Sequence, residues 1–121
     1  MQHHVLPQRP NPNDLSRVVE LFKALSDPTR VRLVLLLSKT PHTVGALVEA
    51  LEQPQSTVSR HLAILRAAGL VSTQRQGTSV HYQLSDTHLG ELTRQAFSHA
   101  EHQRLGLTEH TQPARVTSRR R

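Results

Sequence analysis

A pair of short helices joined by a tight turn, a β-hairpin directly after the second of them, and a stretch from residue 53 to 85 with three arginines and no acidic residue predict the fold. It is mainly α with a small β-hairpin: a winged helix-turn-helix of five helices plus wing, whose second paired helix enters a nucleic-acid groove. A helix pair alone is common in small bundles. The hairpin, and the acid-free stretch suited to a polyanion, make the pattern specific.

Each element has its own signal. Residues 1–13 carry three prolines and no apolar periodicity, and read as a flexible arm. Asn13 is placed to cap a first helix over 14–24, with Leu15, Val18, Val19, Leu21, Phe22 and Leu25 as its apolar set. Asp27-Pro28 is a stronger start, an N-cap followed by the residue best suited to the first helical position. The second helix, to about residue 38, is apolar on nearly every side (Val31, Leu33, Val34, Leu35, Leu36, Leu37), as expected of the central core helix. After Thr40-Pro41-His42, Thr43 caps a short third helix bearing Val44, Leu47, Val48 and Leu51. A turn around Pro54 leads to a fourth helix over 56–68, apolar at Val58, Leu62, Ile64 and Leu65 and stopped by Gly69. Strand-like runs at 70–75 and 79–84 are joined through Gln76-Gly77-Thr78. Ser85 is the expected cap of a last helix ending between residues 102 and 104.

At 121 residues the chain is one small domain with tails. The absence of cysteine excludes disulfides and thiolate metal sites. No apolar run approaches the roughly 18 residues of a membrane span, and the N-terminus lacks an apolar core of signal-peptide length, so a cytoplasmic protein is expected. Much of the net charge of +6 comes from Arg115, Arg119, Arg120 and Arg121 in a basic tail. The polar face at the start of the fourth helix is Gln55, Ser56, Ser59 and Arg60. Arg60 is the candidate guanine contact, with a phosphate contact as its alternative; Ser56 and Ser59 permit close approach, and Ser56 is alternatively a cap. Arg75, Gln76 and Thr78 at the hairpin tip suit phosphate or the minor groove. The expected partner is double-stranded DNA carrying an imperfect palindrome. His61, three residues after Val58, is left between the groove and the core.

The last helix carries a second pattern: Asp86 and His88, then His99 and His102. The eleven residues from His88 to His99 span three helical turns plus about 20°, so both face one way, about 16 Å apart. A metal–ligand bond is about 2 Å long, so one ion cannot touch both ends of one helix. Two copies lying antiparallel solve the problem. The Asp86/His88 end of one chain meets the His99/His102 end of the other, giving two identical four-ligand sites across a two-fold homodimer. Three imidazoles and a carboxylate suit Zn(II) in a closed tetrahedral site. Closed coordination leaves no place for a reactive water, and no general base or activated nucleophile adjoins the ligands; the pattern points to sensing and not to an enzyme.

Residues 24–32, Ala-Leu-Ser-Asp-Pro-Thr-Arg-Val-Arg, resemble the opening signature of the ArsR/SmtB family of metal-sensing repressors. So do Ser56-Thr57-Val58-Ser59-Arg60-His61-Leu62, then Leu65, Ala68-Gly69-Leu70-Val71 and Arg75-Gln76-Gly77. The resemblance covers roughly residues 14–103. It implies a winged-helix dimer held by its first and last helices, which represses metal-efflux or detoxification genes until metal binds. It divides the chain into an arm (1–13), a DNA-binding and dimerisation domain (14–104) and a basic tail (105–121). The last helix is similar to that of the family's zinc/cobalt sensors, which carries the ligand role over to Asp86, His88, His99 and His102. The branch that binds thiophilic ions places cysteines in the third helix, and this chain has none. Two rival readings stay open. One is a Ni(II) or Co(II) sensor completing six ligands with His3, His4 and His110; the other is a winged-helix regulator with a vestigial metal site.

Overall fold

The computed structural model describes residues 6–106. The elements run α1 (Pro12–Leu25), α2 (Pro28–Leu37), α3 (Val44–Leu51), α4 (Gln55–Ala67), β1 (Val71–Gln76), β2 (Ser79–Leu84) and α5 (Thr87–Leu105). This is the winged helix-turn-helix: five helices plus a two-stranded antiparallel hairpin. Among these residues no helix is long and apolar enough to cross a membrane.

The centre is α2, which packs against α1, α3, α4, α5 and β2. Leu33, Val34 and Leu37 are buried on it. Leu47 and Leu51 of α3, Val58, Leu62 and Leu65 of α4, Val71 of β1 and Leu89 of α5 close the core around them. Its start is fixed as expected: Asp27 Oδ2 accepts from the Thr29 and Arg30 amides at 2.9 and 3.2 Å, and Pro28 occupies the first helical position.

The same logic corrects the start of α1. The cap is Asn11, not Asn13: Asn11 Oδ1 accepts from Asn13 N at 2.7 Å and Asp14 N at 3.4 Å, and Pro12 is the first helical residue. Asn11-Pro12 therefore repeats the Asp27-Pro28 device, because proline lacks the amide a first-turn position leaves unbonded. The apolar set of α1 also divides. Leu21, Ala24 and Leu25 turn inward. Leu15, Val18, Val19 and Phe22 stay exposed along one face, Phe22 at 57 %.

Thr43 caps α3 through Ala46 N, as expected. Glu52 ends α3 in the left-handed region (φ 55°), which tightens the turn into α4. α4 then begins at Gln55 with no side-chain cap, so Ser56 lies inside the helix and the capping alternative for it falls away. Gly69 leaves α4 with φ 79°, a conformation that favours glycine.

The hairpin pairs Val71 with Leu84 through to Gln76 with Ser79, so its loop is the two residues Gly77 and Thr78, shorter than the three expected. Gly77 turns it with φ 63°. The segment before α3 joins the sheet by a bridge: His42 N donates to Tyr82 O at 3.0 Å and Tyr82 N to His42 O at 2.7 Å. At the far end, Asp86 and not Ser85 caps α5, with Oδ1 accepting from His88 N at 2.8 Å and Leu89 N at 3.4 Å. The Ser85 amide is turned back to Leu70 O instead. Gly106 (φ 71°) closes α5.

The two candidate caps of α1 separate in a denaturation experiment. Asn11→Ala is expected to destabilise the fold by about 1 kcal/mol. Asn13→Ala, whose side chain caps nothing, should stay within about 0.5 kcal/mol of the parent.

Candidate functional site

The fold presents two candidate surfaces. On the first, α4 turns Val58, His61, Leu62 and Leu65 into the core, which leaves Gln55, Ser56, Ser59 and Arg60 exposed on the opposite face. Arg75, Gln76 and Thr78 are exposed at the hairpin tip. Among the described residues, Arg60, Arg66 and Arg75 form no ion pair. Their charge is thus available to an external anion.

Beneath this surface lies a polar cluster the sequence did not reveal. His61 is 6 % exposed, and its Nδ1 lies 3.1 Å from Arg30 Nη1 and 3.8 Å from Asp27 Oδ2. An arginine can only donate, so His61 Nδ1 is the acceptor and the ring is neutral in this arrangement. Burial lowers the His61 pKa; Asp27 opposes this, while Arg60 and Arg30 add to it. Burial alone would raise the Asp27 pKa, but the Arg30 and Thr29 amides and the nearby His61 and Arg30 charges leave it lowered overall. Arg30 Nε donates to Ala24 O at the end of α1. Gln53 Nε2, in the turn before α4, donates to Thr29 Oγ1 at 3.2 Å. The only sequence signal for His61 was its spacing from Val58 and Leu65 on the inward face.

The second surface is α5. Asp86 and His88 are brought together at its start, with Oδ1 and Nδ1 3.4 Å apart and the His88 side chain 92 % exposed. His99 is exposed and His102 half-buried, both in the last two turns. The fold does not bring the two pairs together. Among the described residues, no group of three or more metal-type side chains converges within one chain. His3, His4 and His110 lie outside the described residues. Leu92, between the two pairs along α5, is also exposed. The groove beside Asp86 and His88 is floored by Leu21, Leu70, Leu89 and Leu92.

Asp86 is both a helix cap and a candidate ligand. A carboxylate has about four acceptor positions, and the cap uses Oδ1. The donor set of one carboxylate and three imidazoles suits Zn(II) when the ends of two helices are combined.

Comparison with known proteins agrees with this fold. The profile of the "Bacterial regulatory protein, arsR family" matches residues 27–73, from the α2 cap to β1. The "HTH-type transcriptional repressor SmtB" of Mycobacterium tuberculosis is 43 % identical over 94 residues, covering 78 % of this chain and 70 % of that protein. The "Arsenical resistance operon repressor" of Escherichia coli is 50 % identical over 68 residues, covering 55 % of this chain and 58 % of that one. Among solved structures, HlyU from Vibrio cholerae superposes with a TM-score of 0.65 at 32 % identity, over 71 % of this chain and 94 % of the other. These relatives are regulators of transcription and not enzymes. A winged helix-turn-helix with a polar α4 face, an arginine-tipped hairpin and a relative this close belongs to the ArsR/SmtB family of DNA-binding transcriptional regulators.

Proposed function

We infer that this chain is a metal-responsive repressor of the bacterial cytoplasm. It binds an imperfect-palindrome operator as a homodimer, and releases it when Zn(II) is captured between subunits. Each of two sites takes Asp86 and His88 from one protomer and His99 and His102 from the other. The genes under its control are those of metal efflux or homeostasis. The observation that carries this reading is the pairing on α5: two candidate ligand pairs at opposite ends of one helix face, exposed at His88 and His99 and half-buried at His102, with Leu92 between them. Each pair is half a coordination sphere, so the helix needs a second copy. The uncovered apolar face of α1 (Leu15, Val18, Val19, Phe22) supports the same assembly, since a solvated stripe of that kind marks an interface. The E. coli relative's name ties it to arsenical resistance. This chain's cysteine-free composition and its imidazole-rich helix favour a borderline ion over arsenic.

In this mechanism the metal-free dimer holds two α4 helices at the spacing of successive major grooves, about 34 Å. Gln55, Ser56, Ser59 and Arg60 enter the groove, and Arg75, Gln76 and Thr78 hold the flanking backbone. Zn(II) supplies a crosslink between α5 helices and favours another arrangement. The coupling is of the usual size, about 1–3 kcal/mol or roughly 5–150-fold in DNA affinity, and DNA weakens metal by the same factor.

Zinc titrated into a protein–DNA complex should lower fluorescence anisotropy, and His99→Ala should abolish the response. Asp86→Asn keeps an N-cap while removing the carboxylate charge, so it should weaken zinc without unfolding α5. Complementation tests the sharing itself. Asp86→Asn/His88→Ala protein and His99→Ala/His102→Ala protein should each be silent, and their mixture should regain zinc release through one intact site per heterodimer. No recovery on mixing would refute inter-subunit ligation. A nickel response that exceeds the zinc response and is lost on removing the tails would favour the six-ligand alternative with His3, His4 and His110.

The reading surface separates by sequence dependence. Arg60→Ala should cost about 1–3 kcal/mol and relax selectivity at one base pair. Arg75→Ala should weaken all sequences alike and reduce the salt slope by about 1. Competition with mutated and mixed-sequence duplexes over a salt series distinguishes them.

A further inference from the structure

The cluster under α4 has no part in the metal or groove contacts, yet it lies directly beneath the reading face. Arg30 is its hub. Nε donates to Ala24 O at the end of α1, and Nη1 reaches His61 Nδ1 at 3.1 Å in the middle of α4. One planar guanidinium thus spans the first, second and fourth helices. Its fixed fork serves both acceptors at once, which a lysine ammonium on a flexible stem does not reproduce. Arg30 belongs to the first turn of α2, whose Asp27 cap lies 3.8 Å from the same His61 nitrogen.

We propose that Arg30 and His61 are positioning residues for operator reading: a strut from α1 to α4 that sets the attitude of the reading helix and is released when His61 is protonated. The inference rests on the DNA-reading role proposed above. Its chemistry is local. Neutral His61 accepts from Arg30 through Nδ1; a proton on Nδ1 turns that acceptor into a donor facing another cation. Among the described residues the imidazolium then has one anionic partner in reach, Asp27, and turning toward it breaks the link to Arg30. The charged groups acting on His61 are Asp27 and Arg30 from α2, and Arg60 beside it on α4. Burial and both arginines disfavour the protonated ring, so the strut holds at neutral pH and yields only in acid.

The sign of the effect sets it apart from ordinary histidine titration. Protonating surface histidines adds positive charge and tightens binding to any duplex. Loss of the strut instead weakens binding to the preferred duplex relative to mixed sequence. The test uses metal-free, full-length protein in chelator, with a labelled duplex enriched from a random pool by the wild-type protein and a mixed-sequence duplex beside it. Between about pH 7.5 and about pH 4.5 the wild-type affinity ratio should fall by about tenfold, the larger part of it below the ordinary histidine value of about 6.5, with circular dichroism at each pH confirming a folded chain. His61→Asn keeps an acceptor where Nδ1 stood but cannot titrate, so its ratio should stay high and flat with pH. His61→Phe and Arg30→Lys should show a low ratio throughout, with circular dichroism confirming a folded chain. If His61→Phe fails to fold, the His61→Asn profile decides. A pH profile of His61→Asn matching wild type, or a wild-type ratio in folded Arg30→Lys, would overturn the strut alone. Failure of the wild-type protein to enrich any duplex would overturn the DNA-reading role and the strut with it.

Discussion

The first turn of α2 is the constraint on which the rest of this molecule depends. Asp27 caps the helix, Pro28 fixes its opening geometry, Thr29 holds the turn before α4 through Gln53, and Arg30 ties the end of α1 to His61. Four consecutive residues thus locate three other elements. A hydrogen bond to a charged group is worth about 1.5–3 kcal/mol, more than a neutral one. The Asp27 carboxylate and the Arg30 guanidinium are both used this way in partly buried surroundings. The signature shared with the family reads naturally as a joint between helices, and the family profile begins at Asp27 itself.

Core and surface divide the apolar residues in a way that links folding to assembly. Among the described residues twelve buried hydrophobic side chains make the core, and they come from every helix, from β1 and, at Leu70, from the turn between α4 and β1. A second set, Leu15, Val18, Val19 and Phe22 on α1 with Leu92 and Phe97 on α5, remains in water. In the proposed dimer these two helices carry both the association surface and the metal ligands. Any change in how they pack is a change in the spacing of the two reading heads. Sensing then needs no unfolding and no long-range wire, only a choice between two packings of the same surfaces.

The sequence carried the order of elements because strong local chemistry marks most boundaries. Asp27-Pro28, Thr43 and Gly77 each satisfy a backbone requirement that few other residues meet. It misled where two residues within a position or two of each other offered the same chemistry. Asn11 and Asn13 both suit a cap, as do Ser85 and Asp86, and only the position of Pro12 and the return of the Ser85 amide to Leu70 decide between them. The division of α1 into inner and outer apolar faces was hidden too, since periodicity records that a residue is apolar and not what covers it. The exposed faces of α4 and the hairpin tip were legible as the complement of a clear core stripe. The separation of the two candidate pairs on α5 was legible from spacing, and among the described residues the fold does not bring them together on one chain. His61 was not, because its partners Arg30 and Asp27 stand about thirty positions away and no local pattern announces them.

The short bridge between His42 and Tyr82 has a consequence for recognition. By stitching β2 of the hairpin to the segment that launches α3, it ties the wing to the helix pair of which α4 is the second member. In the proposed dimer, wing and helix pair then meet a half-site as one jaw, and tolerance to an inserted base pair falls to the joint between subunits, as in a pair of calipers whose arms are solid and whose pivot alone is free.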